Sequence, residues 1–289
     1  MIWRAALAAV IAVFLCATGS QPRAQFNGCS AGFCGGAPGT CPQAKTFLAR
    51  TSGLSGTETA ATTTLICNAV THGWWAKCDA YWNGATNTVT TAKLNWVSTS
   101  FGLTGTIPTF TADVGFTGNG SNSFLNTNYN ASTAGGNYTL NSASLSIYIE
   151  NSRAANGTYD MGVTDSTNYA FLLTNFTGGQ ALGEANGTGT NAGGAVASSN
   201  NSLTVSRTAS NLTTTYRNGS SLGTTASASG ALINQPVYLL ALNSAGTAIL
   251  FSSDVMMSAA ICGAFTSTDA SNYDSDNNAY ATTLGINNH

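Results

Sequence analysis

The sequence predicts a mainly β protein, built as a two-sheet sandwich, with helices near its N-terminus and one short helix at its C-terminus. Three observations predict this class. After residue 92, about nine short segments rich in β-branched and aromatic residues follow one another. Turns of Gly, Asn and Ser separate these segments, and no helical periodicity comes between them until the end of the chain.

Residues 1–24 have the features of a secretory signal peptide. Arg4 supplies the positive start, and residues 5–17 form an apolar run that is too short to span a membrane. We therefore expect a secreted, periplasmic or cell-surface protein without a membrane span. Beyond these residues the chain has seven basic and eleven acidic side chains, a formal net charge of −4 with no basic stripe. This balance argues against a nucleic-acid partner.

Residues 25–45 form a tail rich in Gly, Cys and Pro, without periodicity. An even number of cysteines in an exported chain predicts disulfides. The six candidates beyond the signal are Cys29, Cys34, Cys41, Cys67, Cys78 and Cys262. Metal binding by the three tail cysteines is the alternative, but their spacing departs from the CxxC pattern of zinc sites and no histidine lies near them.

Residues 46–85 are predicted to form a helical hairpin. Four apolar residues within residues 57–70 share one helical face, and Gly73 ends that helix. Residues 74–82, WWAKCDAYW, are predicted as the second helix, with aromatic rings that either pack inward or form an exposed platform for a sugar. If the two helices fold back on each other, Cys67 and Cys78 form a disulfide. Cys262 is the rival partner for either, and two buried free thiols are the other alternative.

Residues 86–289 are predicted to form the sandwich, with its first strand at residues 93–99. Residues 142–151 alternate apolar and polar side chains, and Asn218-Gly219 is a strong hairpin signal. The charge-free stretch GFTGNGSNSFLNTNYN, residues 115–130, is predicted as strand, tight turn and strand, with Phe124 and Leu125 anchoring its two sides.

The C-terminal helix is predicted from a shared apolar face. Tyr273, Tyr280 and Leu284 lie on that face, and Gly285 follows at the position of a C-cap glycine.

Four segments carry a resemblance to a known family. They are VGFTGNGSNSFLNT (residues 114–127), LSIYIEN (145–151), TTYRNGSSLGTT (214–225) and ILFSSDVMMSAAICGAF (249–265). Their order resembles the concanavalin A-like lectin/glucanase superfamily, in particular its laminin-G-like branch. The chain is also similar to uncharacterised exported proteins of bacterial and phage association that place FLARTSGL and THGWWAKCDA before such a sandwich. The resemblance covers residues 46–289 and implies a jelly-roll sandwich.

The resemblance implies calcium as the candidate cofactor. Asp274, Asp276 and Asn278 have D-x-D-x-N spacing, although the segment lacks the Gly and Glu of an EF-hand loop, and a solvated helix turn is the alternative. Asp113 and Asp254 are further single carboxylates near turns.

The same resemblance gives no reason to expect catalysis. Glucanases of the superfamily place alternating carboxylates on one strand, and no predicted core strand here carries two. The chain has only two histidines, His72 and His289. We therefore expect no enzyme activity and no catalytic residues.

The function expected from the sequence is that of an exported, non-catalytic recognition module that binds a carbohydrate or another surface ligand. Tyr129 and Tyr138 are candidates for stacking on a sugar ring, with Asn126 among the polar side chains that fix its orientation. Burial in the sheet is the alternative for both tyrosines. The alternative function is a structural or adhesive surface protein of the phage-tail or virion type, and a glycan-active enzyme is the least favoured.

Overall fold

A computed structural model describes residues 39–151 and 153–286. The predicted signal peptide, the tail cysteines Cys29 and Cys34, and His289 lie outside the described residues. The helices are α1 (Pro42–Leu48), α2 (Gly56–His72), α3 (Val89–Ala92), α4 (Ala131–Ala134) and α5 (Ser267–Leu284). None of these helices has both the length and the apolar character that a membrane crossing requires.

Strands account for most of the regular structure after α2. They are β1 (Cys78–Asn83), β2 (Thr109–Thr111), β3 (Gly115–Thr117), β4 (Leu125–Asn130), β5 (Ala143–Ile149), β6 (Met161–Thr164), β7 (Tyr169–Phe176), β8 (Gln180–Gly187), β9 (Ala192–Ala195), β10 (Asn201–Ala209), β11 (Leu212–Arg217), β12 (Ser220–Thr225), β13 (Pro236–Leu239), β14 (Leu242–Ser244), β15 (Thr247–Ile249) and β16 (Val255–Cys262).

The strands form two sheets of eight, and the predicted sandwich is confirmed. Sheet A has the order β12-β11-β10-β5-β16-β3-β2, with β1 also paired to β16. Sheet B has the order β15-β14-β6-β7-β8-β9, with β13 paired to β6 and β4 paired to β13. All pairs are antiparallel except β14 with β6.

The main core lies between the two sheets. Leu145, Ile147 and Ile149 of β5 point into it from sheet A, and Met161 and Leu172 point into it from sheet B. The alternation read from the sequence therefore sets which face of each strand is inward. Burying each such side chain contributes about 1.5–3 kcal/mol to stability.

A second apolar core lies on the other face of sheet A. Phe47 of α1, Leu65 of α2 and Tyr273 of α5 pack there with Tyr148 and Met257 of the sheet. The described residues thus form three layers, in which helices cover the outer face of sheet A. The outer face of sheet B is the face that these helices leave uncovered.

The second N-terminal helix predicted at residues 74–82 is wrong, because only Trp75–Lys77 form a short 3-10 turn and residues 78–83 form strand β1 of sheet A. Ala80 and Trp82 face the main core while Cys78 and Tyr81 face the helical layer, so both sides of the strand are buried. A short run that is apolar on both faces has no period that distinguishes a helix from a strand. The aromatic rings of this segment pack inward, and the platform alternative fails.

The predicted disulfide between Cys67 and Cys78 is also wrong. Cys78 and Cys262 are cross-strand neighbours of β1 and β16 and are bonded to each other. Cys67 is bonded to Cys41, with a Cα–Cα distance of 5.6 Å. Because residues 78–83 enter the sheet, Cys78 is carried away from α2, and each cysteine takes a different partner.

The strand expected at residues 93–99 is a series of turns instead. The Asn95 side chain accepts hydrogen bonds from the backbone N–H groups of Tyr81 and Val97, both at 3.0 Å, and donates to Ser98 Oγ. Such local side-chain bonds compete with a sheet ladder and favour a turn.

The stretch at residues 115–130 has the predicted strand, turn and strand. Asn119 Oδ1 accepts from three successive backbone N–H groups, which closes the turn. The two strands join different sheets, β3 in sheet A and β4 in sheet B.

The C-terminal helix is also confirmed. Thr266 and Asp269 form a capping box at its start, and Gly285 adopts the left-handed conformation (φ 75°) at its end.

Candidate functional site

The outer face of sheet B carries a transverse row of side chains. Cross-strand partners share a face of a sheet, and the register pairs Asn126 with Tyr238, Tyr238 with Gly162, Gly162 with Phe171, and Phe171 with Glu184. Their sequence neighbours Leu125, Leu239 and Leu172 point into the main core, so the row points outward. We call these five residues the outer row. It spans five strands, or roughly 19 Å at the usual spacing between strands.

Aromatic rings gather on both sides of the outer row. Phe124 lies 4.6 Å from Tyr238 and 6.4 Å from Phe251, measured between ring centroids. On the other side Tyr159 packs edge-on against Phe171 at 5.2 Å, and Tyr169 packs against Phe171 at 6.5 Å. Within the outer row Phe171 and Tyr238 are buried, at 3% and 7% exposed, whereas the neighbouring rings of Phe124, Phe251, Tyr159 and Tyr169 are partly exposed. These four rings are therefore the part of the face that a ligand can contact.

Gly162 joins the two aromatic groups. A Cβ atom at this position would lie 3.0 Å from both Leu242 Cδ1 and Phe171 Cβ. The space that a side chain would take is therefore filled by Leu242, Phe171 and Tyr159, and glycine lets these side chains pack closely on the sheet.

Glu184 ends the outer row and is its single ionisable acid. Its side chain is fully buried, with Oε1 accepting from the backbone N–H groups of Gly189 at 2.8 Å and Thr190 at 3.2 Å. Among the described residues Oε2 has no hydrogen-bond partner. Burial raises the pKa of Glu184, and this effect outweighs the two backbone N–H groups and the Arg207 guanidinium, which lower it. The pKa of Tyr159 is raised mainly by burial, and to a smaller extent by Tyr169 and the Glu184 carboxyl.

The residues predicted to bind a ligand are placed differently from one another. Asn126 belongs to the outer row. Tyr129 and Tyr138 are only 1% and 4% exposed, and their hydroxyl groups donate to Asp79 and Asn186, each at 2.8 Å. Neither ring therefore offers a face to a sugar.

The predicted calcium ligands do not converge. Asp276 lies inside α5, where Oδ2 accepts from Trp74 Nε1 at 2.8 Å and contacts His72 Nδ1 at 3.0 Å. Asn278 accepts from the Tyr148 hydroxyl, on another face of the helix. Within the described chain no group of three or more His, Cys, Asp or Glu side chains is arranged to hold a metal ion.

Asp254, another calcium candidate, belongs to a buried ionic cluster at one end of the sandwich. Arg153 donates through Nε to Asp254 at 2.8 Å and through Nη2 to Asp160 at 3.3 Å. Thr174 Oγ1 donates to Asp160 at 2.7 Å. Burial and the neighbouring Asp160 raise the pKa of Asp254 to about 8, although Arg153 opposes this. Both carboxylates are fully buried and bonded to protein groups, so neither faces a substrate.

A separate open cavity lies beside α1. It has a volume of about 240 Å³ and is lined by Pro42, Gln43, Thr46, Trp75, Trp96 and Val97. Both tryptophan rings are almost wholly buried by their other neighbours. The cavity thus offers less aromatic surface than the outer face of sheet B.

Sequence reasoning missed most of the outer row. The signal was available in strand parity: once Leu125 is inward, Tyr129 is inward and Phe124 and Asn126 are outward. Strand parity does not show which strands lie side by side, and the outer row exists only because these five strands are neighbours.

No protein-family model and no curated relative matches this chain. Several solved structures are similar in part. Domain 4 of AbnA, an extracellular arabinanase from Geobacillus stearothermophilus, solved with arabinotriose, has 13% identity and a TM-score of 0.45 over 68% of this chain and 98% of that domain. A Trypanosoma rangeli sialidase has 11% identity and a TM-score of 0.46, over 69% of this chain and 32% of the sialidase. The botulinum neurotoxin serotype D binding domain has 8% identity and a TM-score of 0.46, over 70% of this chain and 52% of that one. Similarities of this size say nothing about what this chain binds.

Proposed function

We propose that this protein is a non-catalytic recognition module that binds carbohydrate on the outer face of sheet B. The observation that carries the proposal is the set of partly exposed rings around the outer row, on the sheet face that the helical layer leaves uncovered. Sugar rings present apolar C–H faces, and aromatic side chains are the groups that stack on them while polar side chains fix orientation. Asn126 supplies such a polar group within the row.

The test is a glycan array followed by calorimetric titration of the best ligand. Phe124→Ala and Tyr159→Ala each remove one partly exposed ring from the face, and each should weaken binding about fivefold, since a ring contact is worth roughly 1 kcal/mol. Phe110→Ala is the matched control, because Phe110 is a partly exposed ring on β2 of sheet A. Loss of binding in the control but not in the face variants would overturn the proposal.

The absence of catalysis is part of this proposal. Support comes from the ionic cluster of Arg153, Asp160 and Asp254, whose carboxylates are occupied by protein donors. The imidazole–carboxylate pair of His72 and Asp276 links α2 to α5. Incubation with polysaccharides and an assay for reducing ends should give no turnover. Turnover that disappears in Asp254→Asn or Asp276→Asn would contradict the proposal.

The second candidate function is assembly into a larger surface structure. Ile249 and Leu250 are 36% and 45% exposed, at the short edge strand β15 of sheet B. An exposed apolar edge is a template for pairing with another chain. Sedimentation should show oligomers that Ile249→Lys disperses if this function holds, and a monomer at all concentrations if it does not.

A further inference from the structure

The outer face of sheet B is nearly free of charge, which bears on the class of glycan it takes. Its strands β4, β6, β7, β8, β9, β13, β14 and β15 contain no Lys or Arg, and Glu184 is their one acid. Sites that recognise carboxylate or sulfate groups use Arg or Lys to form charge-assisted hydrogen bonds. Such a site would need cations that these strands do not supply.

Two buried arginines lie near sheet B, and neither serves the outer face. Arg207 enters from sheet A between the two sheets, on the same side of β10 as Val205, and donates to the carbonyl groups of Ala185 and Ser227. Arg153 is engaged by Asp160 and Asp254 in the ionic cluster. Arg207 is fully buried and Arg153 is paired with two carboxylates, so neither guanidinium is available to a ligand on the outer face.

Glu184 adds a charge of the wrong sign for an acidic ligand. Its Oε1 is fixed by two backbone N–H groups and its Oε2 has no hydrogen-bond partner in the described part of the chain. The Arg207 guanidinium interacts with it electrostatically but forms no ion pair with it. The carboxyl accepts from the exposed Gly189 and Thr190 backbone, and Glu184 is the cross-strand partner of Phe171, against which the Tyr159 ring packs. Because the carboxyl is buried, solvent and salt screen its field only weakly at the nearby face.

We propose that the outer face of sheet B selects uncharged glycans over acidic ones, and that Glu184 is the specificity-determining residue that disfavours a carboxylate or sulfate on the ligand. The inference rests on the binding function proposed above. Glu184 acts through its charge, from beneath the rings, while the rings make the contact with the sugar.

The experiment uses an array of gluco-, galacto- and manno-oligosaccharides, each in its neutral form and with C6 oxidised to the carboxylate. The wild-type protein should bind the neutral member of a pair at least about threefold more tightly than the acidic member, the size expected for one unit charge near a protein surface. In Glu184→Gln this preference should fall about three- to tenfold, with affinity for the neutral sugar changed less than twofold. Glutamine keeps the shape and can still accept from Gly189 and Thr190.

Asp113→Asn is the matched control, because it removes one negative charge in the turn between β2 and β3 of sheet A and should leave the preference unchanged. A purely structural role for Glu184 would weaken both sugars equally in Glu184→Gln, and that outcome overturns the inference. Equal or tighter binding of the acidic sugar by the wild type also overturns the inference about Glu184. If binding in that case still depends on Phe124 and Tyr159, the proposed binding function stands. Failure of every oligosaccharide to bind overturns both.

Discussion

The two disulfides close loops of very different length, and this difference makes their energetic effects separable. Cys78 and Cys262 are 184 residues apart, whereas Cys41 and Cys67 are 26 apart. In the chain-entropy model a crosslink stabilises by restricting the unfolded chain, by about 5 kcal/mol for the longer loop and about 3.5 kcal/mol for the shorter one at 25 °C. Replacing the Cys78–Cys262 pair by alanine should therefore lower the free energy of unfolding by roughly 1–2 kcal/mol more than replacing the other pair.

Cys67, Cys78 and Cys262 are buried and Cys41 is partly buried, so both double variants lose buried sulfur atoms and loop length is the main difference expected between them. The assay is urea unfolding of both double variants and the wild type under non-reducing conditions, with linear extrapolation to water. An equal or larger loss for the pair at residues 41 and 67 would refute the entropic reasoning. Peptide mapping that links Cys67 to Cys78 would refute the pairing itself.

Three further predictions concern stability. The folded protein keeps a proton on Asp254 that the unfolded chain loses near pH 4. The stability that this proton contributes is complete below about pH 4 and is lost as the pH rises to about 8, at up to about 1.4 kcal/mol per pH unit. Asp254→Asn should flatten the pH dependence of the free energy of unfolding in urea over this range, and an unchanged slope would contradict the prediction. In Gly183→Ala the new Cβ would lie 2.7 Å from Val205 Cβ of the opposite sheet, so denaturant unfolding should show a loss of about 1–3 kcal/mol, and no loss would mean that the sheets adjust freely. Thr266→Ala removes the capping box of α5 and should cost about 1 kcal/mol in the same assay, while an unaltered midpoint would show that the cap is not limiting.

The sandwich could be predicted because its inward and outward positions alternate along single strands. Residues 142–151 show this alternation in the sequence, and Leu145, Ile147 and Ile149 are inward in the structure. Helix α5 could be predicted because its apolar face and its C-cap glycine are both local signals. In each case the information lies within about ten residues of chain.

Strand β1 and the disulfides could not be predicted in the same way. Residues 78–83 contact the main core on one side and the helical layer on the other, so their composition carries no period. The bond between Cys78 and Cys262 depends on β1 pairing with β16, far along the chain. Spacing in the sequence favoured the nearer Cys67 because it holds no information on that pairing.

The candidate site likewise combines residues that local sequence signals predict with residues that only strand pairing brings together. The polar, turn-like stretch at residues 126–130 predicts both Asn126 and Tyr129 as ligand contacts, although Tyr129 is inward. Tyr238, Gly162 and Phe171 lie in three separate segments, and only the sheet register brings them into one row. A binding face made by neighbouring strands therefore becomes visible once the strand order is known.

The central claim is that a neutral glycan binds to the rings on the outer face of sheet B. Hydroxyl-radical footprinting tests it most directly, with oxidation of each aromatic side chain measured with and without the best neutral ligand. Our account predicts that bound glycan protects Phe124, Tyr159 and Phe251, which are partly exposed on this face, and leaves Phe110 of sheet A unchanged. Protection of Phe110 with no protection of the other three, at saturating ligand, would contradict it.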